Sequence, residues 1–267
     1  MFGFIRRWRR ARLRAAPFPE TWRAVLSKNV PLYERLSPTL RKHLHGHIQV
    51  LLSEKNFEGC GGLELTDEIR VTIAAHAGLL MLGREAHYYP GLSSVLVYPT
   101  VYRAPQTEHL GSGVFAERQE LRLGESWQQG AIVLAWDAAR SGALDMRDGR
   151  NVILHEFAHQ LDTEDGAADG VPYLESRSDY VAWARAFRPE YERLRKSPQK
   201  SILDSYGGEH PAEFFAVATE TYFEKPQQLR KRHPELYTEL NRFFRLDLAS
   251  ELPPKKEDSH SDSGENS

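Results

Sequence analysis

The sequence predicts an α+β fold, mostly helical with a small mixed sheet, and three observations predict it. Apolar residues between positions 20 and 80 recur at helical spacing. Further on, 94–98 and 131–136 have the β-branched and aromatic character of buried strands. Helix patterns then close the chain, so strands and helices do not alternate as βαβ units.

Each element has a local reason. Residues 20 to 56 place Trp22, Val25, Leu26, Leu32, Leu36, Leu40, Leu44, Ile48, Leu51 and Leu52 at helical intervals, and Pro31 and Pro38 punctuate the run. Ser37 is a candidate cap with Pro38 at the first helical position. A short strand is expected around Asn56 and Phe57, and Cys60-Gly61-Gly62 reads as a turn. Thr66-Asp67-Glu68 opens a helix through Ile73, Ala77 and Leu80. Ser94 to Tyr98, closed by Pro99, is a strand, and Ala131 to Trp136 is another. Helices are expected at about 149–161, 176–196, 211–223 and 232–245. The organisation that follows is a basic flexible N-terminus (1–16), an N-terminal helical part (17–65), a catalytic part (66–248) and a disordered tail (249–267). The tail is rich in Ser, Pro, Asp, Glu and Lys and buries too little to offset its ordering entropy.

Composition narrows the function. The 267 residues are 40% hydrophobic and 27% charged, with a net charge of −2. Direct nucleic-acid binding by a uniformly basic surface is therefore not expected, nor is a highly charged disordered chain. No apolar run approaches the roughly 18 to 20 residues of a transmembrane helix. The start, MFGFIRRWRRARLR, has six arginines but lacks the apolar core of about 7 to 15 residues that a signal peptide needs. It reads as a solvated, frayed terminus; the sharper reading is contact with an anionic membrane surface through Phe2, Phe4, Ile5 and Trp8. The single cysteine, Cys60, allows no internal disulfide and reads as a small buried residue. With no secretion signal, a cytoplasmic location is expected.

The chemistry lies in Asn151-Val-Ile-Leu-His155-Glu156-Phe-Ala-His159-Gln-Leu-Asp162. On a helix, residues four apart lie about 40° apart around the axis and one turn along, so His155 and His159 can meet at one ion. Imidazole nitrogens suit zinc, and Glu156 can flank the metal as a general base. Leu154, Phe157, Ala158 and Leu161 make an apolar face. Asp162 falls with the histidines and is a candidate partner for a histidine N–H. A catalytic zinc needs a third protein ligand and an open position. Asp162 and Asp165 stand where a metzincin needs Gly and His. A carboxylate from the stretch Tyr206 to Glu220 is the alternative: Glu213 and Glu220 are seven apart on one helical face, and Glu209 and His210 remain candidates. His43, His45 and His47 alternate, but i, i+2 and i+4 do not share a helical face, and they read as surface.

The motifs His155-Glu156-Phe-Ala-His159-Gln-Leu-Asp162, Gly170-Val-Pro172, Asp204-Ser-Tyr206 and Pro211-Ala-Glu213-Phe-Phe215-Ala-Val resemble the Mlc titration factor A (MtfA) family of zinc peptidases. Val95-Leu-Val-Tyr98-Pro99, Gly124-Glu-Ser-Trp127-Gln-Gln-Gly130 and Val133-Leu134-x-Trp136 also fit. The resemblance spans roughly residues 20 to 245 and fails at the arginine-rich start and the tail. It implies Glu213 as the third ligand of one zinc per chain. It implies a zincin-like fold related to the catalytic domain of anthrax lethal factor, with Tyr206 near the metal as an oxyanion donor. It further implies aminopeptidase-like activity on peptide or protein substrates, and binding to a Mlc-like transcriptional repressor of sugar uptake.

The expected chemistry is then hydrolysis of a peptide bond by a water whose proton Glu156 takes. The strand Ala131 to Trp136 is expected to be the sheet edge that an extended peptide joins. The alternative from another class is a regulator-sequestering protein in which zinc is mainly structural.

Overall fold

The structure, a computed structural model, describes residues 2–100, 102–109, 115–122, 124–127 and 130–252. In chain order its elements are α1 (Phe2–Ala15), α2 (Glu20–Asn29), α3 (Pro31–Arg35), α4 (Pro38–Glu54), β1 (Asn56–Gly59), α5 (Asp67–Leu79), β2 (Ser94–Tyr98), β3 (Tyr102–His109), β4 (Phe115–Arg122), β5 (Gly124–Trp127), β6 (Ala131–Ala135), α6 (Trp136–Leu144), α7 (Val152–Asp162), α8 (Arg177–Lys196), α9 (Pro211–Glu224), α10 (Pro226–Arg232), α11 (Pro234–Phe244) and α12 (Leu248–Glu251). The α+β expectation holds: helices predominate around a small mixed sheet.

Caps set several helix starts. Ser37 accepts from the Leu40 N–H, Thr66 from Ile69 and Asn151 from Leu154, each satisfying an otherwise orphan donor. α7 begins at Val152 rather than near 149, because Gly149 takes a left-handed φ of 74° and Asn151 is the cap.

The sheet runs β1-β2-β6-β5, with β1–β2 and β2–β6 parallel and β5–β6 antiparallel. β3 and β4 form a separate antiparallel pair. This corrects one expectation: residues 131–135 are an interior strand with a neighbour on each side, and the edges are β1 and β5. The alternation and length of a strand do not reveal its rank in a sheet. β1 also pairs with β2 across the boundary drawn at residue 65.

The core is one cluster running from Leu26 to Leu252. Its aromatic centre is Trp183 stacked on Phe187 at 3.8 Å, with Phe215 and Phe243 around them. α9 is buried almost all round, as its sequence of apolar residues on nearly every face requires.

Three further expectations change. Residues 2–15 form a helix against α4, where Arg10 makes an ion pair with Glu54, rather than a frayed end. Residues 249–252 belong to the fold, since α12 is helical and Leu252 is fully buried; the rest of the expected tail, 253–267, lies outside the described residues. Cys60 is only half-buried, because its side chain sits past the end of β1.

The histidine run divides by environment. His43 is exposed, and His45 stacks on Phe18 at 3.9 Å and bonds Tyr33 Oη. His47 is buried against Tyr88 Oη at 2.9 Å, so it is not a surface residue. His76, in α5, is buried too and its Nδ1–H donates to the Thr72 carbonyl. Burial lowers His47 and His76 to about 4. The unfolded chain takes these protons near pH 6.5, so the stability they represent is complete above 6.5 and lost as pH falls toward 4. Urea unfolding is expected to give a free energy lower by a few kcal/mol at the bottom of this window than at its top. A His76→Gln variant should lose less across the same window.

Candidate metal centre

The site is built on two packed helices. α7 carries His155, Glu156 and His159, and α9 crosses it carrying Glu213 and Glu220. α7 is held on the inner side by Phe157, whose ring lies 4.9 Å from that of Tyr89, and by Ala158 and Leu161, all buried. The start of α9 is held by Pro211 at the first helical position and by His210, whose Nδ1 accepts from the Ala212 N–H.

Gly170 joins the helices. Its N–H donates to Asp162 Oδ2 at 3.0 Å, and its carbonyl accepts from Trp183 Nε1 of α8. Its φ is 79°, and a Cβ there would meet the Pro211 carbonyl oxygen at 2.3 Å. Only glycine fits so close to the first turn of α9.

The donor atoms converge. His155 Nε2 lies 2.9 Å from Glu213 Oε2 and 3.1 Å from His159 Nε2, and His159 Nε2 lies 3.4 Å from Glu213 Oε2. Ligand atoms about 2.0 to 2.1 Å from a tetrahedral zinc stand about 3.3 Å apart, so the trio fits such an ion with modest adjustment. It is the only group of three such side chains among the described residues whose donor atoms can share one ion. All three are mostly buried yet keep some access to solvent. Glu209 and His210 are not in this group, and Glu220 approaches His155 from behind.

The electrostatics suit a cation. Burial would lower the His155 pKa, but its hydrogen bonds to Glu213 and Glu220 raise it well above the usual histidine range. Burial would raise Glu213, but its bonds to His155 and His159 hold it well below the usual carboxylate range. A metal would take the place of that imidazole proton and meet a carboxylate already ionised.

Behind the trio lies a second layer. His155 Nδ1 donates to Glu220 Oε1 at 2.8 Å, Glu220 Oε2 accepts from the Asn151 N–H, and Asn151 Nδ2 donates to Glu224 Oε1 at 3.1 Å. Burial, then the nearby Glu220 charge acting against the Asn151 bond, pushes Glu224 up to about 9. Asn151 thus caps α7 and holds two carboxylates of α9. Its sequence signal was an Asn directly before the apolar helix; its two contacts with α9 had none. Asp162, expected to partner a histidine N–H, spends Oδ2 on Gly170 instead. It is fully buried, and burial raises it to about 6.

Glu156 is buried, 4% exposed, beside His155, whose imidazolium it helps to stabilise. Tyr206, in a 3-10 turn over Ser205–Gly208, is 47% exposed with its ring centroid 5.9 Å from that of His155. Two imidazoles four apart on a helix, a carboxylate from a second helix and an adjacent buried glutamate define the class: a site of the metallopeptidase kind. The chain belongs to the glucose-regulated metallo-peptidase M90 family, whose profile matches residues 5–245. It is 42% identical over 244 residues to a protein of Synechocystis sp. described as uncharacterized, covering 90% of this chain and 89% of that one. It is 29% identical over 256 residues to Mlc titration factor A of Yersinia pestis and of Yersinia pseudotuberculosis, covering 90% of this chain and 93% of each relative. Family membership implies a metal ion, and the donor set is compatible with zinc.

Replacing Glu220 by Gln removes the charge behind His155 without changing shape. Competition with a chromogenic chelator is expected to show metal affinity about tenfold weaker or more. Unchanged affinity would remove Glu220 from the site.

Proposed function

We propose that the protein is a zinc-dependent peptidase, aminopeptidase-like in preference, acting in the cytoplasm on peptide or protein substrates through a zincin-like arrangement. The observation that carries this reading is the convergence of His155, His159 and Glu213 from two helices, with Glu156 buried one residue along.

Each side chain has a definite task. His155 and His159 hold the ion through neutral ring nitrogens, and Glu213 through a carboxylate oxygen. When bound, zinc polarises the scissile carbonyl and brings the pKa of a water toward about 7. Glu220 accepts the His155 Nδ1–H and fixes the ring. Glu156 takes a proton from the attacking water and returns it to the leaving amine. Tyr206, at the rim, donates its hydroxyl hydrogen to the oxyanion of the tetrahedral intermediate. Among the described residues β5 is an antiparallel edge strand beside α7, so an extended peptide pairs with its outer side rather than with β6.

The relatives named Mlc titration factor A favour a second reading, capture of a Mlc-like transcriptional repressor, with zinc mainly structural. One variant separates the two. Glu156→Gln is expected to keep one zinc per chain while peptide hydrolysis falls about a hundred- to ten-thousand-fold. A repressor pull-down with this variant reports binding independently of turnover. His155→Ala should lose the metal altogether. Full hydrolysis by a metal-loaded Glu156→Gln protein would sink the peptidase mechanism. Tyr206→Phe is expected to lower kcat about a hundredfold with metal content unchanged, measured on a short chromogenic peptide.

A further inference from the structure

α1 is docked with its polarity reversed. A surface helix usually turns its apolar stripe to the core. Here the side chains that meet the body are Arg9, Arg10, Leu13 and Arg14, with Arg9 Nη2 donating to Ser53 Oγ of α4 at 2.9 Å. Arg10 donates from Nε and Nη2 to the two carboxylate oxygens of Glu54 at 2.8 and 2.7 Å, and its guanidinium lies 4.5 Å over the Tyr88 ring. Gly46 of α4 leaves the Arg14 side chain its place, since a Cβ there would stand 2.9 Å from Arg14 Cγ. Leu13 packs against the core cluster.

The large apolar side chains face outward. Phe4 is 76% exposed, Ile5 56% and Trp8 59%. At about 100° per residue, Phe4, Trp8, Ala11 and Ala15 share one arc of about 60°, with Ile5 about 60° beyond it. Arg7 and Arg12 flank this apolar arc on opposite sides, and Arg12 lies between Trp8 and Ile5 with its guanidinium 5.9 Å from the Trp8 ring. No acidic residue precedes Glu20, although the whole chain has a net charge of −2. Basic charge is thus concentrated on a helix that exposes Phe4 and Trp8.

We propose that α1 is a docking surface for an anionic lipid bilayer. The helix lies in the headgroup plane, Phe4, Ile5 and Trp8 enter the acyl boundary, and Arg7 and Arg12 meet lipid phosphates. Charge complementarity selects this occupant. A second copy of the chain would bring one arginine-rich helix against another. A nucleic acid would use the arginines and leave the three apolar side chains in water. The Arg10–Glu54 clamp holds the helix in place beforehand, so little ordering remains to be done on contact. No described helix is long and apolar enough to cross a membrane, so the contact is peripheral.

The test is flotation of the full chain with vesicles of phosphatidylcholine alone and of phosphatidylcholine with about one third phosphatidylglycerol. The chain is expected to float with the anionic vesicles in about 0.1 M salt and to be released at least fivefold in about 0.5 M salt. It should stay behind with the zwitterionic vesicles. A Phe4→Ser, Ile5→Ser, Trp8→Ser variant should float at least tenfold less, with melting temperature and metal content unchanged. An Arg7→Gln, Arg12→Gln variant should lose the lipid selectivity. Failure to float, equal flotation with both vesicles, or flotation of the serine variant like the parent would overturn the proposal. Retention of a DNA duplex that only the glutamine variant loses, without flotation, would assign the helix to nucleic acid instead. Dimerisation in the absence of vesicles that the serine variant abolishes would assign it to a second copy. Hydrolysis of a short soluble peptide monitors the metal centre separately, so failure of that centre and failure of α1 are distinguishable.

Discussion

The hydrogen bond between His155 on α7 and Glu220 on α9 is the contact on which the rest of the site depends. It fixes the crossing of two helices that sequence alone leaves independent. Once His155 Nδ1 is committed to Glu220, its Nε2 can only face the opposite way, toward His159 and Glu213. A glutamate brought inside a protein needs hydrogen bonds on both oxygens, and the chain provides them: His155 on one and the Asn151 N–H on the other. The packing of α7 on α9 and the geometry of the donor atoms are therefore one constraint.

That arrangement carries an electrostatic burden. Glu213, Glu220 and Glu224 lie along one helix, and two of them are as buried as the aromatic core. The structure limits the repulsion by keeping Glu224 protonated at neutral pH, with its carboxyl pushed up to about 9 by burial and by the Glu220 charge, and Asn151 bonded to both. His155, drawn toward its charged form by the same carboxylates, holds the place of a cation. A divalent ion is a better counter-charge than a proton, and this favours metal binding without any further group. Gly170 adds the geometric half, since it bonds the end of α7 and α8 and stands so close to the first turn of α9 that no side chain would fit.

The molecule separates its two exposed chemistries. The candidate metal centre lies on α7 and α9, both largely buried in the core, with Tyr206 close to His155. α1 is attached through the Arg10–Glu54 ion pair, hydrogen bonds from Arg9 and Arg10, a cation–π contact and the packing of Leu13 and Arg14, and shows its aromatic residues to solvent. Deep anchoring suits a site that must hold donor atoms to fractions of an ångström, and shallow anchoring suits a surface that meets a soft partner. The frayed-end reading of residues 1–16 failed for a physical reason. Six arginines look solvated in sequence, and nothing local reveals that Arg10 would find Glu54 in α4, 44 residues away.

Local chemistry was enough for much of this protein. Ser37, Thr66 and the prolines at 38 and 211 announced helix starts, since a cap acts within one turn. The spacing of His155 and His159 announced a shared helix face, since 3.6 residues per turn leaves no other outcome. The sequence also narrowed the third donor to a few carboxylates around Tyr206 to Glu220, and resemblance singled out Glu213. The tertiary structure alone decided what each of them meets. Glu213 and Glu220 have the same residue type and sit two turns apart, so no local property distinguishes them. One faces His155 Nε2 and the other Nδ1 because α9 crosses α7 at that height and no other. The rank of β6 in the sheet, the role of Asn151 and the outward face of α1 belong to the same group. Each depends on a partner far away in sequence, and only the folded chain brings that partner within reach.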